Sequence, residues 1–201
     1  YIDRFKARIC VRGCCQSPAT YNNTYSATCN PSSLKVLAAL AVNTDSDIYH
    51  FDLTSAFAQA PLPVDQRLCI QPFPGLDAPH GKFVELLKGL YGLKNASRNY
   101  QDWLGDEVLR PLGWKQSAWE PCLYWKHVER DGKMHLCIIL LYVDDVACMC
   151  KHFLCEQIFE ELSGKCDINN TGLLEYFLGV RVYQSIDSDG IRKIFLSQAS
   201  Y

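Results

Sequence analysis

The hydrophobic pattern is densest over residues 136–150, Leu-Cys-Ile-Ile-Leu-Leu-Tyr-Val-Asp-Asp-Val-Ala-Cys-Met-Cys. An apolar run from Leu136 to Tyr142 passes through Val143 into two adjacent carboxylates, Asp144 and Asp145, and a second apolar stretch runs from Val146 to Cys150. Runs of this length, rich in Ile, Leu, Val and Tyr, predict two buried strands, with Asp144-Asp145 at the tip of the hairpin between them. Adjacent ionised carboxylates repel, and burying them unpaired is costly. A hard divalent cation with oxygen ligands would compensate both. A bare Asp-Asp turn at the wet end of a hairpin accounts for this stretch equally well, because Asp is common in turns.

The remaining pattern predicts further elements. Residues 5–12 alternate, Lys6 and Arg8 against Phe5, Ala7 and Ile9, which predicts a strand with a basic face ended by Gly13. Residues 14–31 are polar and turn-like. Ser32 or Ser33 is placed to cap a helix running to Val42, with Leu34, Leu37, Ala38 and Ala41 on its inner face. Residues 48–53 predict a short strand, in which Asp52 lies between Phe51 and Leu53. One strand, 67–71, is expected within the Pro- and Gly-rich segment 61–81. Ala96 to Leu109 predicts a helix with Tyr100, Trp103, Leu104 and Val108 at helical spacing, ended by Pro111 and Gly113. Residues 122–125 and 134–142 predict paired strands around the turn 129–132. Residues 153–163 predict an amphipathic helix with Phe153, Ile158, Phe159 and Leu162 inward, and 174–183 with 193–197 a further hairpin.

Composition narrows the classes. A chain of 201 residues, 48% hydrophobic and 21% charged, can build one large domain or two small ones. No apolar run approaches the length of a membrane span. The eleven cysteines fall mostly in apolar stretches and are expected as free buried thiols in a reducing compartment. Cys148, Cys150, His152 and Cys155 are dense enough to suggest a metal, but without a Cys-x-x-Cys pair they read as packing. The net charge of −2 excludes a surface uniformly attractive to nucleic acid, yet residues 4–44 carry Arg4, Lys6, Arg8, Arg12 and Lys35 and no acid. That segment suits phosphate binding or a solvated strand edge. Both chain ends are expected to be cut from a longer protein.

Tyr142-Val-Asp-Asp145, with Phe51-Asp-Leu-Thr-Ser-Ala-Phe57 about ninety residues earlier, resembles a reverse transcriptase. Phe5-Lys-Ala-Arg-Ile-Cys-Val-Arg-Gly13, Leu90-Tyr-Gly-Leu-Lys94, Pro121-Cys-Leu-Tyr124, Tyr176-Phe-Leu-Gly179 and Phe195-Leu-Ser-Gln198 narrow the resemblance to copia-type LTR retrotransposons. Each motif is weak alone; the colinear set spans essentially the whole chain. The resemblance implies an α+β fold, the fingers and palm of a right-hand polymerase with an antiparallel palm sheet and most of the thumb missing. Fingers are expected over approximately 1–30 and 60–98, palm over 31–59 and 99–175, and a primer-grip hairpin leading into the thumb over 176–201.

The resemblance further implies RNA- and DNA-templated DNA synthesis, within a retrotransposon polyprotein, by two-metal nucleotidyl transfer. Asp52, Asp144 and Asp145 are the implied catalytic and metal-binding residues, with two Mg²⁺ ions for which Mn²⁺ can substitute. Lys6, Arg8, Phe57 and Asn95 are the implied nucleotide-binding residues, and Phe57 is the implied steric gate against a 2′-hydroxyl; read without the resemblance, Phe57 is a core side chain. Backbone groups around Leu53 to Ala56 are expected on the phosphates, and Phe177, Leu178 and Gly179 in the primer grip. Implied partners are an RNA or DNA template, a DNA primer, deoxynucleoside triphosphates and neighbouring integrase and RNase H regions, with no membrane. The implied place is the cytoplasm, in virus-like particles, or the nucleus. The chain departs from the family at Asn95-Ala-Ser-Arg98, usually Gln-Ala-Pro-Arg, at Asn169, usually Lys, and at Ser26-Ala27, usually Ser-Pro. A catalytically inactive remnant that keeps the fold is the alternative, and another two-metal phosphodiester enzyme the third reading.

Overall fold

The computed structural model describes residues 9–73, 75–76, 79 and 81–198. In order these form α1 (Pro31–Asn43), β1 (Asp47–Leu53), α2 (Ala56–Gln59), β2 (Cys69–Ile70), β3 (Val84–Glu85), α3 (Ala96–Trp103), β4 (Lys115–Gln116) and β5 (Leu123–Arg130). Then come β6 (Lys133–Tyr142), β7 (Asp145–Cys150), α4 (Cys155–Ser163), β8 (Ile168–Leu173), β9 (Tyr176–Phe177), β10 (Val180–Ile186) and β11 (Arg192–Ser197). The chain divides into two compact units, Tyr1–Ser26 with Ala56–Leu104, and Ala27–Ser55 with Gly105–Tyr201.

The second unit is built on a six-stranded antiparallel sheet ordered β4-β5-β6-β7-β1-β8. Cys137–Leu141 of β6 and Val146–Cys150 of β7 are buried at consecutive positions, so both faces of the sheet centre are covered. On α1 the buried residues are Leu34, Leu37, Ala38 and Ala41, the face its periodicity predicts, and the helix packs on β1, β6, β7 and β11. Its cap is Asn30 rather than a serine. The Asn30 side chain accepts from the Ser32 N–H at 2.9 Å, and Pro31 takes the first helical position, where no N–H is needed. Ser33 instead donates its hydroxyl to Glu120 at 2.8 Å. On α4, Ile158 and Leu162 are buried and the Phe159 ring meets Phe51 at 5.6 Å. Phe153 falls in a 3-10 turn ahead of α4 and is 48% exposed, contrary to its predicted inward place. A smaller antiparallel sheet, β11-β10-β9, completes the unit.

The first unit is organised around Leu62, Leu93 and Ala96, with Val11, Phe57, Leu68, Leu86 and Leu90 packed against them. Residues 9–12 belong to no strand, and residues 5–8 lie outside the described residues. In place of a ladder, the Val11 N–H donates once to the Tyr91 carbonyl at 2.8 Å, and Gly13 opens a 3-10 turn. Alternation alone supplied no partner strand. The close approach explains the glycine of Leu90-Tyr-Gly-Leu-Lys94: a Cβ on Gly92 would lie 2.1 Å from the Val11 carbonyl oxygen, and its φ is +93°. The strand expected over 67–71 shrinks to β2, paired with β3. The helix expected to Leu109 is α-helical only to Trp103. A π-helical turn covers Leu104–Leu109 and a 3-10 turn Arg110–Leu112. At Gly105 a Cβ would come within 2.8 Å of the Tyr124 hydroxyl oxygen, which marks the tight packing where the helix widens.

All eleven cysteines are free thiols. Cys29, Cys122, Cys137, Cys148, Cys150, Cys155 and Cys166 are buried as expected, whereas Cys10, Cys14, Cys15 and Cys69 are exposed. Burial pushes the Cys137 and Cys166 thiols up to about 11. No described helix is long and apolar enough to cross a membrane.

Candidate active site at the ends of β1 and the β6–β7 hairpin

Strand β1 lies between β7 and β8, so Asp52 faces Asp145 across one pairing and Asn169 across the other. The tip joining β6 to β7 is the two-residue turn Val143-Asp144, closed by pairing of Tyr142 with Asp145. Val143 has φ 55°, a left-handed conformation that is rare for a β-branched residue. The turn releases Asp144 from the strand alternation that would send consecutive aspartates to opposite faces. The Leu53 N–H donates to the Asp144 carbonyl at 2.9 Å and ties the end of β1 to the hairpin tip. Asp52, Asp144 and Asp145 are all half-buried.

Their surroundings differ. Asp145 Oδ1 is 2.9 Å from His50 Nε2, and His50 Nδ1 is 2.8 Å from Thr171 Oγ1. Asn169, on the other side of Asp52, donates its amide to Thr54 Oγ1 at 2.9 Å. The carboxylates of Asp52 and Asp144 have no ion pair or side-chain hydrogen bond among the described residues. Two such carboxylates suit a hard divalent cation. Mg²⁺ is commonly held by one or two carboxylates and completed by water and substrate phosphate rather than caged by protein. No group of three His, Cys, Asp or Glu side chains among the described residues is placed to hold a metal ion. Part of the segment 53–56, expected to face phosphate, has its backbone donors engaged. The N–H groups of Leu53 and Thr54 are already committed to the carbonyls of Asp144 and Asp167.

Residues 2–201 match the reverse transcriptase (RNA-dependent DNA polymerase) family. The chain belongs to that family. It is 27% identical over 202 residues to the retrovirus-related Pol polyprotein from transposon TNT 1-94 of Nicotiana tabacum, covering 98% of this chain and 14% of that protein. It is 30% identical over 182 residues to the corresponding polyprotein from transposon RE1 of Arabidopsis thaliana, covering 89% of this chain and 12% of the relative. The transposon Ty1-BL Gag-Pol polyprotein of Saccharomyces cerevisiae is 30% identical over 148 residues, 73% of this chain and 8% of the relative. No solved structure gives a significant match. The resemblance to copia-type reverse transcriptases is borne out.

The other residues singled out in this reverse transcriptase chain fall in several places. Phe57, in the first unit, is half-buried, with its ring edge-on to Tyr91 at 4.8 Å and to Tyr100 at 5.7 Å. Asn95 is 1% exposed. Its amide donates to Gln66 Oε1 at 2.7 Å and accepts from Gln16 Nε2 at 3.2 Å. Both ends of the amide are therefore engaged inside the first unit, where Asn95 braces Gln16 and Gln66. Lys6 and Arg8 lie outside the described residues. Phe177 is a core side chain, 1% exposed, while Leu178 and Gly179 form the tight turn between β9 and β10 with φ of 53° and 76°. A primer-grip role there would rest on the turn backbone, not on the Phe177 ring. Sequence reasoning missed His50 and Thr171. The available signal was the period of two, which puts His50 on the same strand face as Asp52.

Proposed function

We propose that this chain carries the polymerase centre of a transposon Pol polyprotein and performs RNA- and DNA-templated DNA synthesis from a primer. The observation that carries the reading is the pair Asp52 and Asp144. Both are half-buried carboxylates without a protein partner among the described residues, held at adjoining strand ends by the Leu53–Asp144 backbone bond. In this reading the second unit is the palm, the first unit the fingers, and the β9–β11 sheet the primer-grip hairpin that leads toward a thumb.

Asp52 and Asp144 would hold Mg²⁺, with Mn²⁺ as substitute, and Asp145 stands beside them. Bound there, divalent cations supply charge neutralisation for the triphosphate and acidify the primer 3′-hydroxyl. The chain's own contribution would be positioning: strand pairing and the Leu53–Asp144 bond fix the two carboxylates at adjoining strand ends, and phosphoryl transfer is governed by positioning and electrostatics more than by covalent help. Phe57 is the proposed sugar gate, and Lys6 and Arg8 the proposed phosphate contacts. Template, primer and deoxynucleoside triphosphates are the substrates, integrase and RNase H regions the polyprotein neighbours, and cytoplasmic virus-like particles the setting.

Asp52→Asn and Asp144→Asn are each expected to abolish primer extension by a polyprotein fragment containing this chain, with circular dichroism unchanged. Extension at the wild-type rate by either variant would remove that residue from the site.

A further inference from the structure

The third carboxylate is held differently from the other two. Asp145 lies directly across from Asp52, a like-charge pair that is unfavourable in a sheet. His50 lies two residues before Asp52 on the same face of β1, and its Nε2 meets Asp145 Oδ1 at 2.9 Å on the diagonal. An ionised carboxylate only accepts, so Nε2 carries the proton in this bond. The ring is itself fixed from β8. Thr171 Oγ1 sits 2.8 Å from Nδ1 and 2.9 Å from the His50 carbonyl oxygen, two acceptors for the one hydroxyl proton of a neutral-ring arrangement. His50 is half-buried, so the ring has little room to turn away.

We infer that His50, braced by Thr171, is a positioning residue that draws the Asp145 carboxylate toward itself and away from Asp52, leaving Asp52 and Asp144 as the principal cation ligands. This rests on the proposed polymerase site. It divides three aspartates into a ligating pair and a tethered third. In this assignment His50 acts only through Asp145.

The consequence is a paradoxical gain. His50→Ala frees Asp145 to join the other two carboxylates, so the resting protein binds a divalent cation more tightly. His50→Gln keeps an N–H donor for Asp145 and restores wild-type behaviour.

Mn²⁺ binding to the 201-residue chain, followed by electron paramagnetic resonance without nucleic acid, tests this. The expected tightening for His50→Ala is roughly threefold or more, with His50→Gln within about twofold of wild type. In the double variant His50→Ala/Asp145→Asn the tightening disappears, which a general loosening of the fold would not produce. Thr171→Val, which keeps the side-chain shape, gives a smaller tightening and covers the case in which His50→Ala does not fold. A second readout needs no metal: the imidazole nitrogen resonances of His50 shift on Asp145→Asn if the Nε2 bond exists in solution. Unchanged or weakened Mn²⁺ binding in both His50→Ala and Thr171→Val, or imidazole resonances insensitive to Asp145→Asn, overturns the inference while leaving the site reading intact. Absence of any Mn²⁺ binding that Asp52→Asn removes overturns the site reading and this inference together.

Discussion

At the scale of single residues, burial and hydrogen-bond satisfaction separate chemistry from architecture. Asn95 illustrates the second. Asn95→Ala removes a partner from Gln16 and another from Gln66, but Gln16 still reaches Thr20 at 3.3 Å and Gln66 still accepts from Asn99 at 3.1 Å. The expected loss is therefore about 1–2 kcal/mol, the lower part of the range for a broken buried network. Urea denaturation measures it, and an unchanged midpoint would show that the amide braces nothing. Phe57 keeps part of its ring exposed. Phe57→Val is expected to raise ribonucleotide incorporation relative to deoxynucleotide by about tenfold, the scale at which removing ring volume changes discrimination. A constant ratio in competition assays would make Phe57 a core residue of the Leu62, Leu93 and Ala96 cluster and nothing more. The three aspartates can be picked out along the chain because acids interrupt apolar runs. Their different neighbours cannot, because His50 and Thr171 read as ordinary strand residues.

At the scale of elements, the hairpin β6–β7 and the inner face of α1 were legible because their periodicities are local and strong. Residues 9–12 were not, because alternation reports an amphipathic extended segment and says nothing of a partner edge. The turn between β6 and β7 holds a measurable strain. Val143 has φ 55° and is 42% exposed, so replacing it loses little buried surface. Asn tolerates the left-handed region. Val143→Asn is expected to stabilise the fold by about 1 kcal/mol. Thermal or denaturant unfolding followed by circular dichroism would expose the error if the variant proved equal or less stable.

At the scale of the whole molecule, charge limits what the chain can hold by itself. Affinity for nucleic acid comes mainly from phosphate neutralisation and falls with salt. With a net charge of −2 the 201-residue chain is expected to bind a labelled RNA–DNA duplex weakly and with strong salt dependence. The chain covers only 14% of the tobacco relative it matches, and a longer polyprotein fragment containing it is expected to bind more tightly. Fluorescence anisotropy at low and physiological salt compares the two, and tight binding by the short chain at physiological salt would mean that the basic surface is larger than residues 4–44 suggest. What the sequence by itself determined is whatever local pattern encodes: the apolar strands around Asp144-Asp145, the helix over residues 31–43, and, through colinear motifs, membership of the reverse transcriptase family. Only the tertiary structure decided which distant residues meet. His50 and Asp145 are 95 positions apart and Gln16 and Asn95 are 79 apart, and those contacts depend on strand register and on close backbone approach. A slip of two residues between β1 and β7 would keep every side chain on its face yet move Asp52 out of line with Asp145, and no local periodicity specifies the register against it.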